Sequence, residues 1–384
     1  MSATLAQTGL PSRKLEAWKY TDLRPLAALA PAAAPEIADI AALAADLPSF
    51  PGPRLVFVNG RRAASLSVPA PAGVITDLAT GGDFAPFAPA PLAALNARLA
   101  QDGAAIHVPE GLDAGTLALV HLTIAEDAAP VFVHPRHRIA LAAGATLTLV
   151  EYAGGRGVYW QNPVIEIMLA PGATLRHVRI QAEDRESFHT ATIFVDLLAG
   201  ARYDAFTLGL GARLARSECH ARLGGAGAIA HLAAVQLLRG AQHGDITTVV
   251  AHDAPGCASR QTVKSVVDGR AHAVFQGRIE VARAAQKTDG YQMSQALLLS
   301  PDAEIDCKPE LEIFADDVKC SHGATIGALD PEQLFYLRAR GIPEAAARAM
   351  LVRAFLIDAI EAVSEAGARA LLERAIDDWW EGAR

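Results

Sequence analysis

Between residues 104 and 328, apolar and polar positions alternate in short runs, and no long helical pattern separates them. The run Ile139–Val150 is followed by Ile165–Ile180 and then by Ile193–Phe206. Each reads as a strand, a small Gly-Ala turn and a second strand, because period-two runs of Val, Ile, Leu and Thr suit a pleated surface. The turn glycines Gly144, Gly172 and Gly200 lie 28 residues apart, twice in succession, and Gly225-Ala-Gly227 is a weaker echo. A fixed spacing of this size predicts a solenoid. One coil cannot bury its own inner face, so coils stack and share a core. Glycine serves at the turn because positive φ brings no Cβ clash there. An antiparallel sandwich of similar hairpins would supply the strands but not the fixed spacing. The expected fold is therefore mainly β, a parallel β-helix core over 104–328.

The flanks differ in texture. Residues 1–103 mix short helical patterns with Ala/Pro-rich joints and are expected to be largely helical. Leu92–Ala100 reads as a short helix, and Leu55–Asn59 as a strand stopped by Asn59-Gly60. Residues 329–384 read as a C-terminal helical domain. Asp330 can cap a helix, Pro331 fits its first position, and Gln333 stands where a capping-box partner belongs. Gly341 is a plausible stop. A second helix opens at Ile342-Pro343 and runs through Val363, and a third covers about 366–380. In the second, Met350, Leu351, Val352, Phe355, Leu356, Ile357, Ile360 and Val363 spread over more than one stripe, whereas a surface helix needs one. This helix is either central in a small bundle or docks another protein. Leu351, Phe355, Leu356 and Ile360 are the candidate partner contacts.

Composition narrows the function classes. Of the 384 residues 51% are apolar and 20% charged, enough for a large core and unlike a disordered chain. The net charge of −8 and the absence of a Lys/Arg run argue against nucleic acid. Met1–Leu10 lacks a basic stretch followed by a long apolar one, and no segment reaches the ~20 apolar residues of a membrane span. The cysteines Cys219, Cys257, Cys307 and Cys320 are irregularly spaced, with no CxxC. A cytoplasmic protein with reduced thiols is expected.

The densest chemistry lies in 302–323. Leu311–Phe314 and Val318–His322 read as strands around an Asp316-Asp317 turn. Cys320 and His322, two apart on a strand, project to the same face. A thiolate beside an imidazole suits iron, copper or zinc, or could serve as a nucleophile pair, but the residues alone favour a small buried Cys beside a hydrogen-bonded His, since free Cys is among the most buried residue types. Iron–sulfur clusters usually take about four protein ligands, so two require others from Cys307, nearby carboxylates or a second chain. His134 and His137 flank Pro135 and read as ordinary structural residues. No GxxxxGK[ST] occurs, so any ATP would be hydrolysed elsewhere, and no GxSxG or HExxH occurs either. Paired carboxylates on a solenoid face, Asp316-Asp317 or Glu310 and Glu312, would suit a β-helix polysaccharide lyase or hydrolase.

Two stretches resemble the SufB/SufD family of iron–sulfur cluster assembly scaffolds. One is Ser12–Leu23; the other runs from about Ser259 to Gly341 and includes Phe275–Ile279, Lys308–Glu312, Ala315–Thr325 and Glu332–Gly341. The short chain and Cys-Ser-His at 320–322 look like the SufD side of the family rather than SufB. The resemblance implies a right-handed parallel β-helix between helical termini, without catalytic activity of its own. It also implies a complex with a SufB paralogue and the SufC ATPase, or a homodimeric scaffold. The C-terminal helices would dock SufC. A transient iron–sulfur cluster, or iron, would be held at the partner interface by Cys320 and His322.

Overall fold

A computed structural model describes residues 10–48, 50, 52–78, 87–125 and 129–381. Its centre is a pair of parallel sheets wound as stacked coils, the chain crossing from one sheet to the other at each turn. In the first sheet the strands Ala104–Val108, Arg136–Leu141, Val164–Leu169, Phe188–Leu197, Leu214–Leu223, His243–His252, His272–Val281 and Glu304–Ile313 lie side by side. The second sheet runs from Arg54–Val58 through Asp113–Ala125 and successive coils to Ala258–Val267, Thr288–Leu298 and Val318–Gly327.

The 28-residue spacing is a register. Thr146 stands beside Thr174, and Thr174 beside Arg202. Gly144 and Gly172 stack at the turns with φ of 65° and 70°, the left-handed region where a side chain is strained. Inward side chains from both sheets form one core that includes Leu147, Leu175 and Tyr203 facing Ile139, Ile167 and Ile193. Near the C-terminal end this interior turns polar, with Ser259, Gln261 and Gln292 fully buried.

The two ends of the solenoid differ. At the N-terminal end each sheet finishes in a short antiparallel strand, Ile75–Leu78 in the first and Arg61–Arg62 in the second. A reversed strand stops parallel addition. At the other end Glu304–Ile313 and Val318–Gly327 are the last strands of their sheets, each paired on one side among the described residues.

Helix is sparse before residue 104. It amounts to α1 (Arg24–Leu29), α2 (Pro91–Leu99) and three short 3-10 segments among the described residues, so strand shares this region to a greater degree than expected. The stretch Glu16–Leu26 lies flat on the first sheet, burying Trp18, Leu23 and Leu26 against Trp160, Phe188 and Leu214. After the solenoid come α3 (Pro331–Ala339), α4 (Glu344–Glu361) and α5 (Ala366–Glu381). Asp330 caps α3 by accepting from the N–H groups of Glu332 and Gln333. Helices α4 and α5 lie on the outer face of the second sheet, where Val352, Leu356, Leu372 and Ile376 pack with Val235, Leu237 and Val266.

Candidate functional site

Cys320 and His322 sit on the edge strand Val318–Gly327, in register with Gly290 and Gln292 of the strand beneath. Gly290, Gln292, Ser294 and Ala296 point into the solenoid, so Cys320, His322, Ala324 and Ile326 point the same way. They have a coil below them and, among the described residues, none above. Cys320 is half-buried against Ile279 and Leu311. A Cβ on Gly290 would lie 3.4 Å from its sulfur, so the glycine leaves the thiol room to settle on the strand below. Burial raises the Cys320 thiol pKa, with the Gly290 backbone hydrogen bond opposing and Asp289 adding to the rise. His322 is exposed and makes no hydrogen bond or ion pair with a described residue. Gln292 closes the floor. In the amide orientation that satisfies both its ends, its nitrogen donates to Gly277 O at 3.1 Å and its oxygen accepts from Ile279 N at 3.2 Å.

The opposite wall of this open coil is Glu304–Ile313. Cys307 faces inward, in register with Phe275, and is half-buried. Burial raises this thiol pKa as well. Glu310 and Glu312 have the opposite parity and face outward, where Lys308 lies 3.3 Å from Glu310. Asp316 and Asp317 occupy the exposed turn between the two edge strands. Among the described residues no three His, Cys, Asp or Glu side chains gather as a metal-binding group. The coil end thus brings Cys320 and His322 together and leaves the carboxylates outside.

The remaining thiols lie away from this end. Cys219 is three strands back, roughly 14 Å at ordinary strand spacing. Burial pushes its pKa up to about 12. Cys257 is fully buried, and its thiol donates to Gly225 O at 3.3 Å. His134 and His137 are core residues: burial lowers His134 to about 3 and His137 well below its usual value.

The C-terminal helices revise the expected partner contacts. Leu356 is 0% exposed and Ile360 is buried beside it, both in the chain's own core, so neither offers a surface. Leu351 is half-buried. Phe355 is half-buried under Lys264, whose ammonium lies 4.9 Å from the ring and donates to Phe355 O at 2.6 Å. The exposed apolar residues are others: Met350 and Ile357, seven apart on α4, and Phe335 and Tyr336 on α3, a helix with no buried residue.

The open coil ends in a thiol and an imidazole, and the sequence matches a known family. The model of the SufBD core domain, described as SUF system FeS cluster assembly, matches residues 122–355. The chain belongs to the SufBD family. It is 36% identical to the iron–sulfur cluster assembly protein SufD of Escherichia coli, over 94% of this chain and 88% of that one. It is 31% identical to an iron–sulfur cluster assembly SufBD family protein of Synechocystis, over 97% and 88%. A chloroplastic protein of Arabidopsis thaliana, ABCI7, is 37% identical over 59% of this chain and 49% of its own length. The chain is a SufD-like member of the SufBD family of the SUF iron–sulfur cluster assembly system.

Both stretches that carry the family resemblance meet in space. Glu16, from the N-terminal stretch, pairs with Lys308 on the edge strand. Spacing along the sequence gives no sign of this contact, because it joins residues 292 positions apart.

Proposed function

We propose that this chain is a non-catalytic scaffold subunit of the SUF machine, joined end to end with a SufB paralogue and bound to the SufC ATPase. The supporting observation is the asymmetry of the solenoid: one end is closed by antiparallel strands and the other presents two parallel edges. Unpaired edges invite another strand. A second solenoid of the same family would continue both sheets and roof over Cys320 and His322. The winding is expected to be right-handed, as parallel crossover connections nearly always are. Without the paralogue, the same edges would pair with a second copy.

A nascent cluster, or iron, is the cargo of this joint. This chain offers Cys320 and His322, and the partner supplies the rest of the roughly four ligands a cluster takes. The Cys320 proton leaves as the metal binds, which makes capture weaker at low pH. The three-part division at 1–103, 104–328 and 329–384 then has a purpose: a brace, a stack that carries the site, and a helical dock. SufC would dock on the exposed faces of α3 and α4, and its ATP cycle would move the helices and, through them, the joint. Among the described residues no helix is long and apolar enough to cross a membrane. Reduced thiols fit the cytoplasmic setting we propose.

Anaerobic co-purification tests the assembly. A tagged chain is expected to bring down both partners. Ile326→Lys, which places a charge on the open coil, should lose the paralogue and keep the ATPase. Retention of the paralogue at full stoichiometry would remove the joint from this end.

A further inference from the structure

Where α5 meets the solenoid, a cleft of about 480 Å³ opens between the helix and the second sheet, a size that suits a small molecule. Its apolar walls include Phe50, Tyr152, Leu210, Leu371 and Trp379. Three guanidinium groups line it, Arg185, Arg239 and Arg374, against two carboxylates, Glu183 and Asp378. Glu183 is already engaged: it accepts from Gln181 at 2.6 Å and is bonded to His189 at 3.0 Å.

The decisive feature is a set of donors with no acceptor. Arg239 stacks over the ring of Trp379, its guanidinium carbon 4.8 Å from the centroid. Its Nε and Nη1 atoms are shut off from solvent and have no hydrogen-bond partner, and neither has the indole Nε1 of Trp379. Buried donors left unpaired are costly, more so when charged, so such groups are normally satisfied. Burial lowers the Arg239 pKa, with the like charge of Arg185 adding to the fall and Asp268 opposing it. Asp378, the other carboxylate of the lining, bonds none of these donors, and no other oxygen of the described residues meets them.

We infer that the cleft beneath α5 is a binding site for a small anion carried on an apolar body, its phosphate or carboxylate oxygens accepting from Arg239 and Trp379. The apolar part would lie against Phe50 and Tyr152, whose rings meet edge to face at 6.3 Å. Such a ligand touches α5 and the solenoid together, and so would hold the C-terminal helices in place. This site is separate from the open coil and does not depend on the scaffold reading.

The test uses the full chain and 8-anilinonaphthalene-1-sulfonate, an anionic aromatic probe, followed by fluorescence. Arg239→Met should weaken the probe by at least about tenfold, the worth of one charge-assisted hydrogen bond. The neutral analogue N-phenyl-1-naphthylamine should bind both forms equally. Displacement by inorganic phosphate or by benzoate then identifies the headgroup. Circular dichroism guards against misfolding, and Arg185→Met, on an exposed side chain, should weaken binding in the same direction. Equal probe affinity in the wild type and both variants would overturn the site, as would failure of both phosphate and benzoate to compete.

Discussion

Lys308 Nζ lies 2.6 Å from Glu16 Oε1 and ties the edge strand of the solenoid to a segment 292 residues earlier in the chain. Behind this pair the N-terminal segment crosses strand after strand of the first sheet. Ala17 O accepts from Gln276 at 3.3 Å, Arg216 lies 4.1 Å over the ring of Trp18, and Thr21 donates to Asp245 and meets His243 Nε2 at 3.0 Å. The segment therefore braces the coils that lead to Cys320 and His322.

The weight of the brace rests on Trp18, which is buried, and not on Glu16, which is exposed. Trp18→Ala should cost about 3–5 kcal/mol of stability, read as a lower urea midpoint. Glu16→Ala should leave the midpoint almost unchanged, because solvent screens an exposed pair. An unchanged midpoint in Trp18→Ala would mean that the segment is decoration.

Neighbouring residues on α4 should part company. Leu356 is enclosed and Ile357 is 53% exposed. Leu356→Ala should lose about 2–5 kcal/mol of stability whether or not a partner is present. Ile357→Asp should melt like the wild type yet fail to capture the ATPase. Thermal melts and pull-downs of the two variants separate these effects, and full capture by Ile357→Asp would move the dock elsewhere.

His322→Ala should leave the melting curve and the complex intact, since the side chain is exposed and bonds to nothing described. Iron–sulfur absorbance of the reconstituted complex should fall roughly tenfold or more, as expected when a metal loses a ligand rather than an outer contact. Wild-type absorbance would remove His322 from the site.

Acid should weaken the fold before carboxylates matter. Burial lowers His121, His243 and His252 to about 4, so the folded chain keeps them neutral while the unfolded chain protonates them near 6.5. The unfolded state then binds more protons between pH 6.5 and 4. This stabilisation is present above 6.5 and is lost as pH falls through that window, each histidine contributing up to about 3 kcal/mol. Urea midpoints at pH 7.5 and 5 check it; a flat profile would contradict the buried neutral state.

The solenoid was legible because its first coils repeat at 28 residues. Later coils lengthen: His243 pairs with His272 at a spacing of 29, and His272 with Glu304 at 32, so the period fades where the site lies. The pairing of Cys320 with His322 was legible from strand parity alone. That they face an open coil was not, because sheet edges are a property of stacking order and leave no local mark. Nor could the apolar helix reveal which side it buries. Leu356 and Ile357 are equally apolar in sequence, and the outer face of the second sheet decides between them.

Amide hydrogen exchange of Val318–Gly327 tests the central claim most directly. Unlike Glu304–Ile313, where Pro309 has no N–H to offer, this strand presents an edge uninterrupted by proline. In the isolated monomer its outward amides should exchange quickly, and in the complex with the paralogue they should become protected together with those of the partner strand laid beside them. Unchanged exchange on assembly would show that nothing joins the solenoid here.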